Sequence, residues 1–177
     1  AGAYSDTVSI STNDSDESPF TFTVSADQVM SEVLEETGPS SSTIGMWSST
    51  SGNKYIAGGG SGANTVSWSF SDLGAGTYRL SSNWSTNSNR ASNAQHTISG
   101  VTGGDVVRYV NQKTLSQDVY DAGVYWEDLG YFEVDANGTI TVTVSDMDAN
   151  NYVMANMMRL EAVPAGVSLP EIKVTES

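Results

Sequence analysis

"TVSWSFSDLGAGTYRLSSNW", residues 65–84, decides the fold class. Alternate positions share one face on both sides of its LGAG turn: Val66, Trp68 and Phe70 before it, and Tyr78, Leu80, Ser82 and Trp84 after it. Strict alternation of apolar and polar residues is typical of a β-strand with one buried face. The stretch therefore predicts two strands, joined by a glycine-containing turn, whose apolar faces line a core.

The same alternation recurs along the chain. It is seen at Val8 and Ile10, at Phe20, Phe22 and Val24, and at Ile140, Val142 and Val144. Short strands separated by turns predict an all-β fold, a jelly-roll-like antiparallel β-sandwich, and 177 residues suffice for one such core. Residues 152–163, "YVMANMMRLEAV", predict one long, central apolar strand. Residues 26–36, "ADQVMSEVLEE", fit either a short helix with Asp27 as N-cap or an extended linker.

The two ends of the chain predict separate elements. Residues 1–27 indicate a β-hairpin, residues 28–163 the sandwich, and residues 164–177 a linker followed by the strand "LPEIKVTES". An isolated hairpin is marginally stable in water. The terminal hairpin and strand could each add to a sheet edge, within the chain or on a neighbouring copy.

Charge and composition limit the partners. The chain has 21 acidic and 7 basic side chains, a formal net charge of −14. This charge repels phosphates and anionic membrane surfaces, so we expect no nucleic acid partner. No apolar run approaches the roughly 18 residues of a membrane span, so we expect no membrane insertion. There is no cysteine, and thus no disulfide. The chain opens on no signal peptide, so we expect either that one was removed or that the chain is an excerpt.

Six blocks in the middle of the chain carry a family resemblance. They are "GMWSSTSGNKYI", "NTVSWSFSDLGAGTYRLSSNW", "NRASNAQHTI", "VNQ", "WEDLGYFEV" and "YVMANMMRLE". In this order they resemble the golvesin and xanthan-lyase carbohydrate-binding-like domain, over about residues 29–163. The resemblance implies a noncatalytic jelly-roll module of large secreted bacterial proteins. His96 stands where the family usually has Tyr, and Asn156 where it usually has Asp.

The ends resemble a second family. "TVSISTNDSDESPFTFTVS" is similar to the closing hairpin of Hydin-like, immunoglobulin-type repeats of bacterial surface proteins, and "LPEIKVTES" is similar to their opening strand. This resemblance implies that the ends are parts of neighbouring modules.

The sequence argues against catalysis. His96 is the one histidine, and no serine lies in a G-x-S-x-G elbow. Glu127 and Asp128 are consecutive residues of a predicted strand, so their side chains face opposite ways and do not flank one bond. We therefore predict that the chain is not an enzyme.

One loop has the spacing of calcium ligands. Asp146, Asp148 and Asn150 occupy alternate positions, as in the first half of a calcium-binding loop. The glycine expected next is Asn151, and no closing glutamate follows. Calcium is the one cofactor that the sequence indicates. The favoured interpretation of residues 146–151 is a solvated turn without a bound ion. A second acidic turn lies at 13–17.

Six residues are candidates for contact with a ligand. Sugar-binding sites stack sugars on exposed aromatic rings and bind the hydroxyls with polar side chains. The candidates are Arg90, Asn93 and His96 in the "NRASNAQH" loop, and Trp47, Tyr125 and Trp126 among the aromatic residues. Arg90 could equally clamp loop carbonyls, and His96 could be structural. Tyr125 and Trp126 are adjacent, so we expect Trp126 to be buried and Tyr125 exposed.

These observations predict a noncatalytic extracellular binding module of a bacterial secreted or surface protein. Its expected partner is a polysaccharide or a cell-surface glycan. The alternative is a subunit of an extracellular filament or surface layer, in which copies of the chain join through their terminal strands.

Overall fold

A computed structural model describes residues 3–11, 13, 19–27, 30–50, 52–136 and 138–167. Every regular element in these ranges is a β-strand. Within them no helix has the length and apolarity that a membrane crossing requires. The chain divides into two compact units, residues 1–30 and residues 31–177.

The first unit is the predicted hairpin. Strands β1 (Ala3–Ile10) and β2 (Phe20–Asp27) pair antiparallel, with Val8 opposite Phe22. Val8 and Ile10 share one face and are 40% and 48% exposed. Most of the predicted acidic turn at 13–17 and the predicted strand "LPEIKVTES" lie outside the described residues.

The second unit contains thirteen strands within the described residues. They are β3 (Ser31–Glu35), β4 (Ser41–Ile44), β5 (Ser48–Thr50), β6 (Asn53–Ile56), β7 (Thr65–Leu73), β8 (Gly76–Asn83), β9 (Ala94–Ser99), β10 (Val106–Val110), β11 (Val119–Asp121), β12 (Val124–Val134), β13 (Gly138–Ser145), β14 (Val153–Ala155) and β15 (Met157–Ala162). Sheet I has the order β10-β9-β13-β7-β4, and sheet II the order β11-β12-β8-β15-β3. A small sheet has the order β14-β6-β5. All these pairs are antiparallel.

The alternating residues of 65–84 form the centre of the core, as predicted. The turn between β7 and β8 carries the chain from sheet I to sheet II. Trp68 and Leu80, one from each sheet, are both fully buried. In sheet I, Trp68 lies opposite Val142, and in sheet II, Leu80 lies opposite Leu160. The predicted jelly-roll-like antiparallel sandwich is therefore confirmed.

Two predictions about strands are corrected. The helical alternative for 26–36 is wrong, because β3 pairs with β15 and places Leu34 opposite Met158. A short helix has little stability of its own, so pairing at a sheet edge prevails. The single strand predicted for 152–163 is interrupted at Asn156, where β14 joins the small sheet and β15 enters sheet II between β8 and β3.

Ion pairs lie on the face of sheet II that points away from the core. Arg79 Nε lies 2.9 and 3.0 Å from the two carboxylate oxygens of Asp128. Arg159 is buried and donates to Asp121 at 3.0 Å and to Glu161 at 2.9 Å. Each guanidinium is therefore matched by carboxylates of the same sheet.

Candidate functional site

Most of the predicted site residues gather at one end of the sandwich. Strand β8 ends there, β12 and β9 begin there, and β13 ends there, because the antiparallel pairs place these termini side by side. We call this region the loop end and define it as residues 45–64, 84–93, 111–126 and 146–156. Its loops are joined by backbone bonds from Ala91 N to Tyr152 O and from Gln112 N to Ala91 O.

Arg90 holds its own loop. Its Nε donates to Ser85 O at 3.3 Å, and its Nη1 donates to Asn89 Oδ1 at 2.8 Å. The residue also pairs with Tyr152 in an isolated bridge. These contacts match the clamping alternative, and the residue is half-buried.

Asn93 joins two loops. Its Nδ2 donates to Asp148 O at 3.0 Å, and its Oδ1 accepts from Asn150 N at 2.8 Å. Asn150 and Ser92 form a second reciprocal pair, through Ser92 N to Asn150 Oδ1 and Asn150 Nδ2 to Ser92 Oγ. Both amide atoms of Asn93 are therefore engaged within the protein.

Of the predicted calcium ligands Asp146, Asp148 and Asn150, the first and the last accept hydrogen bonds from loop amides. Asp146 is buried, and Asn64 Nδ2 donates to its Oδ2 while Gly62 N donates to its Oδ1 at 3.0 Å. Asn150 Oδ1 accepts from Ser92 N, as described above. Asp146 and Asn150 are therefore used to join loops of the protein. Across the described residues, no three acidic or histidine side chains cluster as a metal site would require.

His96 belongs to the core, which corrects its place among the ligand candidates. It is 0% exposed, with Nδ1 3.2 Å from Ala94 O and Nε2 3.4 Å from Ser82 Oγ. Burial lowers its pKa to about 4, so the ring is neutral at neutral pH. Ser82 is buried as well, so this serine–histidine contact does not face a substrate.

The adjacent aromatic residues Tyr125 and Trp126 differ in burial as expected. Trp126 is buried, which removes it from the ligand candidates, and Tyr125 is 55% exposed. Trp47 is half-buried, and its Nε1 is buried with no hydrogen-bond partner among the described residues. Tyr125 is thus the exposed aromatic ring among the predicted candidates.

Tyr120 is a site residue that the sequence reasoning missed. It lies opposite Tyr125 across the β11–β12 hairpin and is 63% exposed. The two ring centroids are 4.6 Å apart, with planes tilted by 47°. The "YDAGVY" pattern was the available signal, because a two-residue turn at Ala122 and Gly123 places the two tyrosines opposite each other. Both turn residues have the positive φ that such a turn requires.

Hydrogen bonds anchor the backbone that carries the tyrosine pair. The carbonyl of Tyr125 accepts from Asn83 Nδ2 at 2.8 Å and from Ser116 Oγ at 3.1 Å. Asn156 Nδ2 in turn donates to Asn83 Oδ1 at 2.7 Å. The rings are therefore exposed while the backbone that carries them is anchored.

Asn156 also lines a cleft of about 540 Å³ that the sequence did not indicate. The cleft lies between the end of β3 and the small sheet, and its lining includes Glu35, Glu36, Ser49 and Thr50. Glu36 is 7% exposed, and its carboxylate has no hydrogen bond or ion pair within the described part of the chain. The volume of the cleft is that of a small-molecule site.

The acidic neighbours Glu127 and Asp128 have different surroundings. Asp128 pairs with Arg79, and Ser81 Oγ donates to it at 2.8 Å. Burial raises the pKa of Glu127, and the negative charge of Asp118 adds to this effect. The two carboxylates are therefore not arranged as a pair that flanks one bond.

Comparison with known proteins gives one family match. The sequence profile of the golvesin C-terminal domain matches residues 32–162. No curated protein matches the chain.

Solved structures give further similarities. A xanthan lyase from Paenibacillus is similar over 80% of this chain, with 21% identity and a TM-score of 0.67, and this chain spans 14% of that protein. A family 35 carbohydrate-binding module from Clostridium thermocellum is similar over 75% of this chain and 98% of its own, with 18% identity and a TM-score of 0.45. A module of the same family from Cellvibrio japonicus is similar over 74% of this chain and 92% of its own, with 15% identity and a TM-score of 0.46. At 21% identity, the similarity to the xanthan lyase supports the fold alone.

Proposed function

The chain belongs to the golvesin C-terminal domain family, and from this premise we propose that it is a noncatalytic module that binds a polysaccharide. The exposed pair Tyr120 and Tyr125 carries the proposal. Aromatic rings that keep more than half of their surface in water, on an anchored backbone, are suited to stacking on the apolar faces of sugars. Because the backbone is already held by Asn83 and Ser116, little conformational entropy is lost on binding.

The chemistry around the loop end supports a binding role without catalysis. His96, the one histidine, is buried and neutral. Asp128 is engaged with Arg79, and Asp146 with loop amides. General acid–base chemistry needs a titrating group within reach of the substrate, and none of these three groups has that position.

We expect Tyr125→Ala to weaken polysaccharide binding by about tenfold or more, because the variant loses the stacking ring and its partner contact with Tyr120. A glycan array of neutral and acidic polysaccharides, with and without calcium, would identify a ligand. Calorimetry on that ligand would then compare the variant with the parent chain.

Tyr109→Ala is the matched control. Tyr109 is 61% exposed and lies on β10 in sheet I, whereas the tyrosine pair lies on the β11–β12 hairpin of sheet II. The Tyr109→Ala variant should bind the polysaccharide as tightly as the parent chain does. If no polysaccharide on the array is bound, the proposed function is rejected; if Tyr109→Ala and Tyr125→Ala weaken binding equally, the tyrosine pair is not the site.

The proposed setting is extracellular, in a bacterial secreted or surface protein. The small number of lysines, the abundance of small polar residues and the high acidity support this setting. The family resemblance of residues 29–163 to modules of secreted bacterial proteins supports it as well.

A structural role in a filament is the second candidate. The observation that favours it is the hairpin β1–β2, whose residues Val8 and Ile10 are substantially exposed although two strands alone are marginally stable. In this role residues 170–177 of one copy would pair with the hairpin of the next, and head-to-tail contacts of this kind build open polymers.

Light scattering across a range of protein concentrations tests this role. In the filament role the full chain forms assemblies that grow with concentration, and a chain without residues 170–177 remains monomeric. A monomeric full chain, or polymers that persist after the deletion, would reject the filament role.

A further inference from the structure

We infer that the cleft at the end of β3 is a subsite for a protonated amine, and that the polysaccharide bound by this chain carries amino sugars with free ammonium groups. The inference deepens the proposed function and rests on it for the polymeric nature of the ligand. The chemistry of the cleft itself is argued from its own residues.

The first argument is the state of Glu36. The residue is 7% exposed, lines the cleft, and has no side-chain hydrogen bond or ion pair to any part of the chain that the structure describes. The carboxylate oxygens are not among the fully buried atoms, so they face the water of the cleft, and no donor of the described residues competes for them. A cationic or hydrogen-bond-donating group of a ligand in the cleft could therefore bind them.

The second argument is the balance of donors and acceptors. Glu35 and Glu36 contribute carboxylate oxygens, and none of the described residues lining the cleft is Lys, Arg or His. Asn156 donates its Nδ2 to Asn83, which leaves its Oδ1 as the acceptor for the cleft. An ammonium group has three donors and no acceptor, so it matches such a lining. A carboxylate or phosphate would be repelled.

The third argument is size. A volume of about 540 Å³ falls within the range of small-molecule sites and far exceeds the roughly 30 Å³ that one water occupies in the liquid. The cleft therefore suits a sugar-sized group rather than a lone ion. The hydroxyls of Ser49 and Thr50, which can both donate and accept, are suited to the remaining hydroxyls of a sugar ring.

The cleft is also connected to the tyrosine pair. Asn156, in the cleft wall, donates to Asn83, and Asn83 donates to the carbonyl of Tyr125. Strands β3 and β12 are three strand spacings apart in sheet II, about 14 Å. A polymer chain is long enough to contact both positions, so one ring could stack on tyrosine while a neighbouring amine enters the cleft.

The test compares two ligands and three proteins. Calorimetry at mildly acidic pH, where sugar amines are protonated, would measure binding of glucosamine oligomers and of N-acetylglucosamine oligomers of equal length. We expect the parent chain to bind the glucosamine oligomers at least about tenfold more tightly. Glu36→Gln should remove this preference. Glu32→Gln, which makes the same charge change on β3, the strand that Glu36 follows, but outside the cleft, should retain it.

The Glu32→Gln control separates the cleft from the general attraction of a chain with net charge −14 for any polycation. Equal affinity of the parent chain for the two oligomers overturns the inference, and this comparison needs no variant to fold. A preference that Glu36→Gln retains overturns it too. A third outcome also overturns it: calcium binds the parent chain but not Glu36→Gln, and glucosamine oligomers do not compete with calcium for the site.

The failure of the inference differs from that of the proposed function. If Tyr125→Ala weakens binding of neutral polysaccharides and no amine preference exists, the function stands and the ammonium subsite is rejected. If no oligomer and no polysaccharide binds, both are rejected.

Discussion

We expect the Asp146→Asn variant to unfold with a free energy about 3 kcal/mol lower than that of the parent chain. Both carboxylate oxygens of Asp146 are acceptors: Oδ1 for Gly62 N and Asn64 N, and Oδ2 for Asn64 Nδ2. An amide in this place directs an NH₂ group at one of these donors. Asn64 cannot turn its own amide to compensate, because its Oδ1 accepts from Met46 N at 2.9 Å.

The measurement is thermal and urea unfolding of the variant. A loss of this size lowers the Tm of a chain of this length by roughly 6–12 °C. Asp148→Asn is the matched control, because this substitution makes the same chemical change at an exposed position of the same loop. Asp148 has a φ of 48°, which Asn tolerates as Asp does. Equal stability of the two variants would show that Asp146 does not hold the loop 57–64.

The second large effect is a loss of stability in acid through His96. Burial lowers the folded-state pKa of His96 from 6.5 to about 4, so the unfolded chain binds a proton at a higher pH than the folded chain does. The stabilising contribution of the neutral ring is complete above pH 6.5, falls as the pH decreases, and is lost at about pH 4. The shift corresponds to about 3 kcal/mol.

His96→Gln isolates this contribution. Urea unfolding at neutral pH and near pH 4 would give the acid-induced loss for each protein. We expect the parent chain to lose about 3 kcal/mol more than the variant. Carboxyl groups such as Glu127, whose pKa burial raises, are present in both proteins and cancel in the difference. Equal losses would mean that the ring takes up its proton in the folded chain without penalty.

The fold was largely predictable because alternation is a local property. Val66, Trp68 and Phe70 show their shared face without knowledge of their partners, and burial follows once two such faces pack. The pairing of β3 with β15 was not predictable, because it joins Leu34 to Met158 across most of the chain. The break at Asn156 was hidden for a similar reason: the residues on both sides are apolar, and only the sheets they join differ.

The candidate site was less predictable, because it depends on long-range partners. The spacing of Asp146, Asp148 and Asn150 resembled a calcium loop, but the donors of Gly62 and Asn64, more than 80 residues away, occupy the Asp146 oxygens. Tyr125 was predicted as an exposed ring because its neighbour Trp126 had to be buried. The cleft beside Glu36 has no local signal, since its walls come from three separate parts of the chain.

The clamps of the loop end are mainly neutral amides that bond to backbone atoms or to one another. Gln112 donates to Met154 O and accepts from Met154 N, both at 2.8 Å, and Asn93 makes the same kind of pair with the loop of Asn150. Dissolved ions screen charge–charge attraction but have little effect on such neutral bonds. These neutral bonds therefore keep the geometry of the loop end nearly independent of ionic strength, and the Arg79–Asp128 ion pair of sheet II, whose side chains are only 23% and 10% exposed, is also screened little.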